Sequence, residues 1–179
     1  TLDATRITAG PGADVRIDTH DAMGVPAGKI TLAAPAVPAN LAPATDLGGK
    51  LEIVASAIDH AGRIELPSGV VSLHATEGDV NIAPNAVIDV SGRDLAFADL
   101  TVGSPGGQVA LIADAGSVDV GAGALIDVSG AASGGDAGKI SIGAPKGEVR
   151  LAPAGQLAGS ARAGAKAAAL ALDAQRLTS

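Results

Sequence analysis

The stretch "GQVALIADAGSVDVGAGALIDVSG", Gly107–Gly130, holds three copies of one short pattern. Each copy places an aliphatic residue, one intervening residue and a second aliphatic residue after a bend: Val109-Ala110-Leu111, Val118-Asp119-Val120 and Ile126-Asp127-Val128. Alternation with a period of two puts both aliphatics on one face of an extended segment and the residue between them on the other. The first aliphatics lie 9 and then 8 residues apart, and the same cadence recurs at Val71, Val80, Ile88 and at Ile140, Val149, Leu157. Steps this short hold a strand and a bend, but not a helix with its connections. Equivalent points return after 38 residues and then after 31. The longer interval contains "RDLAFADLTVGSPG", Arg93–Gly106, which reads as an insertion at one corner. A β-sandwich also has short, regularly spaced strands, but it does not require a repeated 9-then-8 step or confine length variation to one corner. The cadence predicts an all-β chain wound as a right-handed parallel β-helix, with three short strands per coil and coils about 4.8 Å apart.

The same unit is present outside these triplets, as "GKITL" from Gly28, "GKLEI" from Gly49 and "GRIEL" from Gly62. The expectation is that its glycines serve the corners by adopting backbone angles that side chains forbid. Residues 1–48 read as irregular N-terminal coils: "RIT" at Arg6 and "VRI" at Val15 suggest strands, and the Pro-rich stretch Ala34–Gly48 a surface loop. Residues 49–179 read as one continuous run of regular coils. In "AGAKAAALALDAQRL", the alternation through Leu170 favours a last strand over a capping helix.

Composition agrees with a stacked β architecture. The chain has 25 Gly, 10 Pro, one Phe and neither Tyr nor Trp, yet 47% of its residues are hydrophobic. Without aromatic blocks, a core of this size has to be assembled from many small aliphatic layers. A net charge of −7 and the lack of basic clusters argue against nucleic acid as a partner. Having no Cys rules out disulfides, thiolate zinc sites and thiol catalysis. No apolar run is long enough for a transmembrane helix. Thr1 stands where an initiator Met would, with no signal-peptide pattern after it, so the chain reads as a piece of a longer protein.

With the repeat established, the order of its elements resembles the filamentous haemagglutinin family, the exported adhesins of bacterial two-partner secretion. The resemblance is carried by "GGKLEIVASAIDHAGRIELPSGVVSLHATEGDVNIAPNAVIDVSGR", "SPGGQVALIADAGSVDVGAGALIDVSGAASGGDAGKISI" and "GSARAGAKAAALALDAQRL". It implies a segment of a long secreted β-helix that an outer-membrane partner transporter exports and the bacterial cell surface displays for adhesion. The family's Asn-Pro-Asn-Gly signature is absent; the nearest strings are "PAN" at Pro38–Asn40 and "APNA" at Ala83–Ala86. That places the chain in an internal or C-terminal passenger segment and not in the transporter-recognition domain.

Candidate sites are few. "IDVSG" occurs at Ile88–Gly92 and again at Ile126–Gly130. With its aliphatics inward, Asp89 and Asp127 point outward to solvent, one above the other, while Ser and Gly make the bend. Such a pair is the one candidate for a cation contact, and Ca²⁺ suits carboxylate oxygens, but two carboxylates fall short of a full shell. "GGDAGKISI" at Gly134–Ile142 lacks the spacing of a Ca²⁺-binding repeat. His20, His60 and His74 share no motif and read as isolated surface residues. There is no GxSxG nucleophile elbow, and "GPGADV" and "GSPGGQV" lack the GK[ST] of a phosphate loop.

The expectation is therefore a non-enzymatic structural rod with no cofactor. One alternative is a module whose insertion Arg93–Pro105 contacts a host receptor, a glycan or another protein chain, with Phe97 as the anchor. The plainer account of Phe97 is that it packs the insertion against the body of the protein. A second alternative, a carbohydrate-active β-helix enzyme, would call for clustered carboxylates, basic residues and aromatic sugar platforms, and the chain has a single aromatic residue.

Overall fold

The computed structural model describes residues 1–20, 23–24, 28–34, 42–153 and 156–179. Within them the chain is all-β, with no helix. In chain order the first strands are β1 (Leu2–Asp3), β2 (Asp14–Asp18), β3 (Lys29–Ala33), β4 (Lys50–Ala55), β5 (Ala57–His60) and β6 (Arg63–Glu65). Next come β7 (Val70–Ala75), β8 (Val80–Ile82), β9 (Val87–Asp89), β10 (Asp94–Phe97), β11 (Leu100–Gly103) and β12 (Gln108–Ala113). The last are β13 (Val118–Val120), β14 (Leu125–Asp127), β15 (Lys139–Leu151), β16 (Gln156–Ala158) and β17 (Ala169–Thr178).

Apart from the β10–β11 hairpin, the strands pair in parallel and in chain order, in three runs compatible with a solenoid. One run is β2-β4-β7-β12-β15-β17. A second is β1-β3-β5-β8-β13-β15-β17. The third is β6-β9-β14-β16. β15 serves two runs, since its residues 139–143 pair with β12 and its residues 149–151 with β13.

The registers match the spacing of the sequence. Val71, Val109 and Ile140 are direct neighbours, as are Val80, Val118 and Val149, and Ile88, Ile126 and Leu157. All of these but Leu157 are at most 3% exposed, and buried aliphatics from all three runs join in one hydrophobic cluster. Each buried aliphatic contributes about 1.5–3 kcal/mol. The ladders continue to Leu170, Leu172 and Leu177 on β17, which are exposed. The C-terminal stretch is thus a strand.

The glycines of the repeat do something other than expected. None of Gly69, Gly107 and Gly138 has a positive φ. They stack on one another at a corner, where a Cβ on Gly107 would lie 2.0 Å from the Gly69 carbonyl oxygen and one on Gly138 1.7 Å from that of Gly107. Close approach of successive backbones, not a special angle, excludes a side chain there. Gly92 and Gly130 of the two "IDVSG" copies also leave no room for a side chain, since a Cβ on each would fall 2.1 and 2.3 Å from the carbonyl oxygens of Ser104 and Gly135.

The N-terminal part joins the same sheet through β1, β2 and β3. "RIT" makes a single bridge, Ile7 to Ile64, instead of a strand. Of the Pro-rich stretch, residues 35–41 lie outside the described residues, "PAN" among them. Its remainder lies beside the third run, where the Ala44 amide donates to Glu65 (3.0 Å).

Candidate functional site

The insertion between β9 and β12 folds as an antiparallel hairpin of β10 and β11, among the described residues the one element outside the parallel runs. Its pairs are Asp94 with Gly103, Leu95 with Val102, Ala96 with Thr101 and Phe97 with Leu100. Ala98 and Asp99 make the turn, Ala98 at a φ of 51°. Because strand residues alternate between faces, Asp94, Ala96, Thr101 and Gly103 share one face and Leu95, Phe97, Leu100 and Val102 share the other. At the base of the first face, Asp94 and Gly103 meet the next corner, while Ala96 and Thr101 are exposed. The Ser133 amide (2.9 Å) and hydroxyl (2.6 Å) both donate to Asp94 Oδ1, and these bonds hold the Asp94 carboxyl below its ordinary pKa. A Cβ on Gly103 would fall 2.0 Å from the Gly134 carbonyl oxygen.

The second face is wholly apolar and largely in solvent: Phe97 is 58% exposed, Leu100 60% and Val102 43%. Phe97 thus lies mostly in solvent, where the plainer expectation had it packed against the body.

The root of the hairpin is tied down. The Arg93 amide donates to Ser104 Oγ (2.8 Å), and the Ser104 amide donates to the Arg93 carbonyl (3.0 Å). Ser68 Oγ lies 2.7 Å from Ser104 Oγ and donates to the Pro105 carbonyl (2.7 Å). The Arg93 guanidinium donates to Asp89 Oδ2 (2.8 Å), Ser91 Oγ (2.5 Å) and the Ala44 carbonyl (2.8 Å).

Asp89 and Asp127 are register neighbours, as the spacing required. Asp89, however, is not a solvated surface residue. Its side chain is 14% exposed and accepts from the Ser91 amide (2.9 Å), the Ser91 hydroxyl (2.5 Å) and Arg93. Burial pushes its pKa upward, and the bonds from Ser91 and Arg93 outweigh this and bring it below the ordinary value. Asp127 accepts from the Ser129 amide (2.8 Å). The positive charge beside Asp89 is thus Arg93. Among the described residues, no group of three or more His, Cys, Asp or Glu could hold a metal ion.

Next to Asp89 in the same column stands Glu65, 1% exposed although it lies on the outward side. It accepts from Arg6 (3.1 Å), Arg63 and the Ala44 amide (3.0 Å), so the cleft beside it presents a carboxylate already supplied with partners.

The three histidines differ from one another. His74 Nε2 lies 2.9 Å from Asp114 Oδ2, and His20 contacts Asp18. His60 is fully buried, not a surface residue. It takes an aliphatic place between Leu32 and Ile82, its Nε2–H donates to the Val87 carbonyl (3.1 Å), and its Nδ1 has no partner among the described residues.

Sequence reasoning found Phe97 but missed its companions. The signal was present: "LAF" and "LTV" flank the two-residue turn Ala98-Asp99, which brings Leu95, Phe97, Leu100 and Val102 to one face. Comparison with protein-family models, with curated proteins and with solved structures finds no match to this chain.

Proposed function

We propose that the chain is a segment of a rigid, right-handed parallel β-helix with three strands per coil, displayed at a bacterial cell surface, where its hairpin makes the contacts. On this account the body is scaffold and carries no catalytic site. The reading is supported above all by the identical register of all three runs, in which each strand lies on its counterpart one repeat earlier with aliphatic over aliphatic. Such an arrangement can be lengthened by adding repeats without redesigning the core, as a rod requires. The motifs quoted above give the adhesin class and, with it, export through an outer-membrane partner transporter.

The contact role of the hairpin, as against a passive rod, is favoured by the exposure of the chain's only aromatic residue on a firmly rooted element. Loops set on a rigid scaffold are a common place for recognition. Antibodies against the chain, applied to intact and to permeabilised producing cells, test display. Equal labelling of both is expected, and labelling only after permeabilisation overturns it. Adherence of beads coated with the parent chain or with Phe97→Ser to host cells tests the hairpin. A loss of adherence with unchanged melting is expected; equal adherence leaves a rod without this contact.

A further inference from the structure

Two observations about the hairpin are left unused by a general contact role: what its outer face lacks, and which charges surround it. The face of Leu95, Phe97, Leu100 and Val102 has no side chain that can donate or accept a hydrogen bond. Saccharide hydroxyls brought against it would lose water and gain no partner, a cost sugar-binding sites avoid with interleaved polar groups.

The sequence from the hairpin onward is acidic. From Asp94 to Gly138 the chain has six Asp and no Lys, Arg or His. Asp99 is exposed at the turn, between Phe97 and Leu100, which both belong to the apolar face. Arg93 at the root of the hairpin is engaged by Asp89, and Arg6 and Arg63 by Glu65. Arg162 stands behind the hairpin, donating to the Ser133 carbonyl (2.7 Å). A second copy docking face to face would bring together two chains of net charge −7. An anionic lipid surface would be repelled in the same way. The rooted, two-stranded frame also holds the apolar side chains in place before any partner arrives, which lowers the ordering cost of binding.

We infer that the hairpin face docks a cationic amphipathic segment of a partner protein. The partner's apolar side chains cover Phe97 and Leu100, and its Lys or Arg residues approach Asp99 in the field of a chain of net charge −7. This rests on the hairpin being a contact element and adds the chemistry of what it contacts. Apolar contact supplies the affinity, and the carboxylates supply orientation and a faster encounter.

The test uses the full chain and two labelled amphipathic helical peptides of equal length, one of Leu and Lys, the other of Leu and Glu. Anisotropy at low salt is expected to show binding of the Leu/Lys peptide only, weakening as salt rises. Phe97→Ser is expected to weaken it about tenfold or more. Asp99→Lys, a second variant at an exposed position, is expected to weaken it as well. Melting of both variants is measured alongside. Equal binding of both peptides, binding of neither, or Leu/Lys binding unchanged in both variants overturns the inference. A parallel glycan array separates the two levels: Phe97-dependent glycan binding without peptide binding sinks the cationic partner but keeps the contact role. Host-cell adherence indifferent to Phe97 removes the contact role itself.

Discussion

The carbonyl oxygen of Gly69 lies 2.0 Å from where a Cβ on Gly107 would stand, so these corners are closed by backbone resting on backbone. Gly107→Ala must therefore push two successive repeats apart. A loss of about 1–3 kcal/mol is expected, the range for overpacking a site that cannot relax. Gly143, on the outward side of β15, has open space around it and no positive φ. Gly143→Ala is expected to be neutral or to stabilise by about 0.4–1 kcal/mol, through a less flexible unfolded chain. Chemical denaturation of the two variants beside the parent checks both; equal effects would mean that the corner is looser than described.

Why the sequence revealed some of this and hid the rest follows from what each feature depends on. Val71, Val109 and Ile140 were placed because a period of two and a fixed step are local properties, and parallel register follows once the step is known. Gly107 was identified as a corner residue, but its reason was misread, since close approach to Gly69 involves a residue 38 positions away. Asp89 looked solvated because the pattern tells only which way it points. Its cover comes from Arg93, whose guanidinium folds back over the bend. Glu65 is buried on the outward side for the same kind of reason, through Arg6 and the Ala44 segment. His60 was legible in principle, because "AIDH" stands in register with "VNI" and puts His in an aliphatic place. The face of the hairpin needed only the identification of its turn.

Asp89 and Asp127 provide a comparison within one column. Removing Asp89 strands Arg93 and frees the Ser91 hydroxyl, whereas Asp127 gives up one bond from the Ser129 amide. Asp89→Ala is expected to cost about 1–3 kcal/mol and Asp127→Ala less. Because Arg93 already neutralises Asp89, millimolar Ca²⁺ is expected to leave the melting temperature of the parent unchanged. A rise with Ca²⁺ that disappears in Asp89→Ala would restore the cation site.

Ile140 joins β12 and β17 at 3% exposure, and both of its register neighbours are aliphatic. A carboxylate there would have neither water nor a cation. Ile140→Asp is expected to lose more than about 4 kcal/mol and to unfold at least β12, β15 and β17. Thermal melting and amide exchange across these strands measure it. A melting curve equal to the parent's would refute the inward placement.

His60 makes stability depend on pH in a predictable direction. It packs against Leu32 and Ile82 in its ladder, and neither these nor Val87, whose carbonyl takes its one bond, carries a charge. Burial lowers its pKa below the ordinary 6.5, an effect the bond to Val87 only partly opposes. Between the lowered folded value and the ordinary one, the unfolded chain binds the proton and the folded chain does not, so unfolding gains as pH falls. The stabilising effect of keeping His60 neutral is complete above about pH 6.5 and declines below it, by at most about 1.4 kcal/mol per pH unit for one group. His60→Leu, which restores an aliphatic ladder and removes the unpartnered Nδ1, is expected to abolish this part of the acid sensitivity. Denaturation midpoints from pH 7.5 down to 5 are compared for the two chains. Parallel pH profiles would show that His60 is not the group responsible, whereas a parent that weakens faster than His60→Leu through this interval is the expected result.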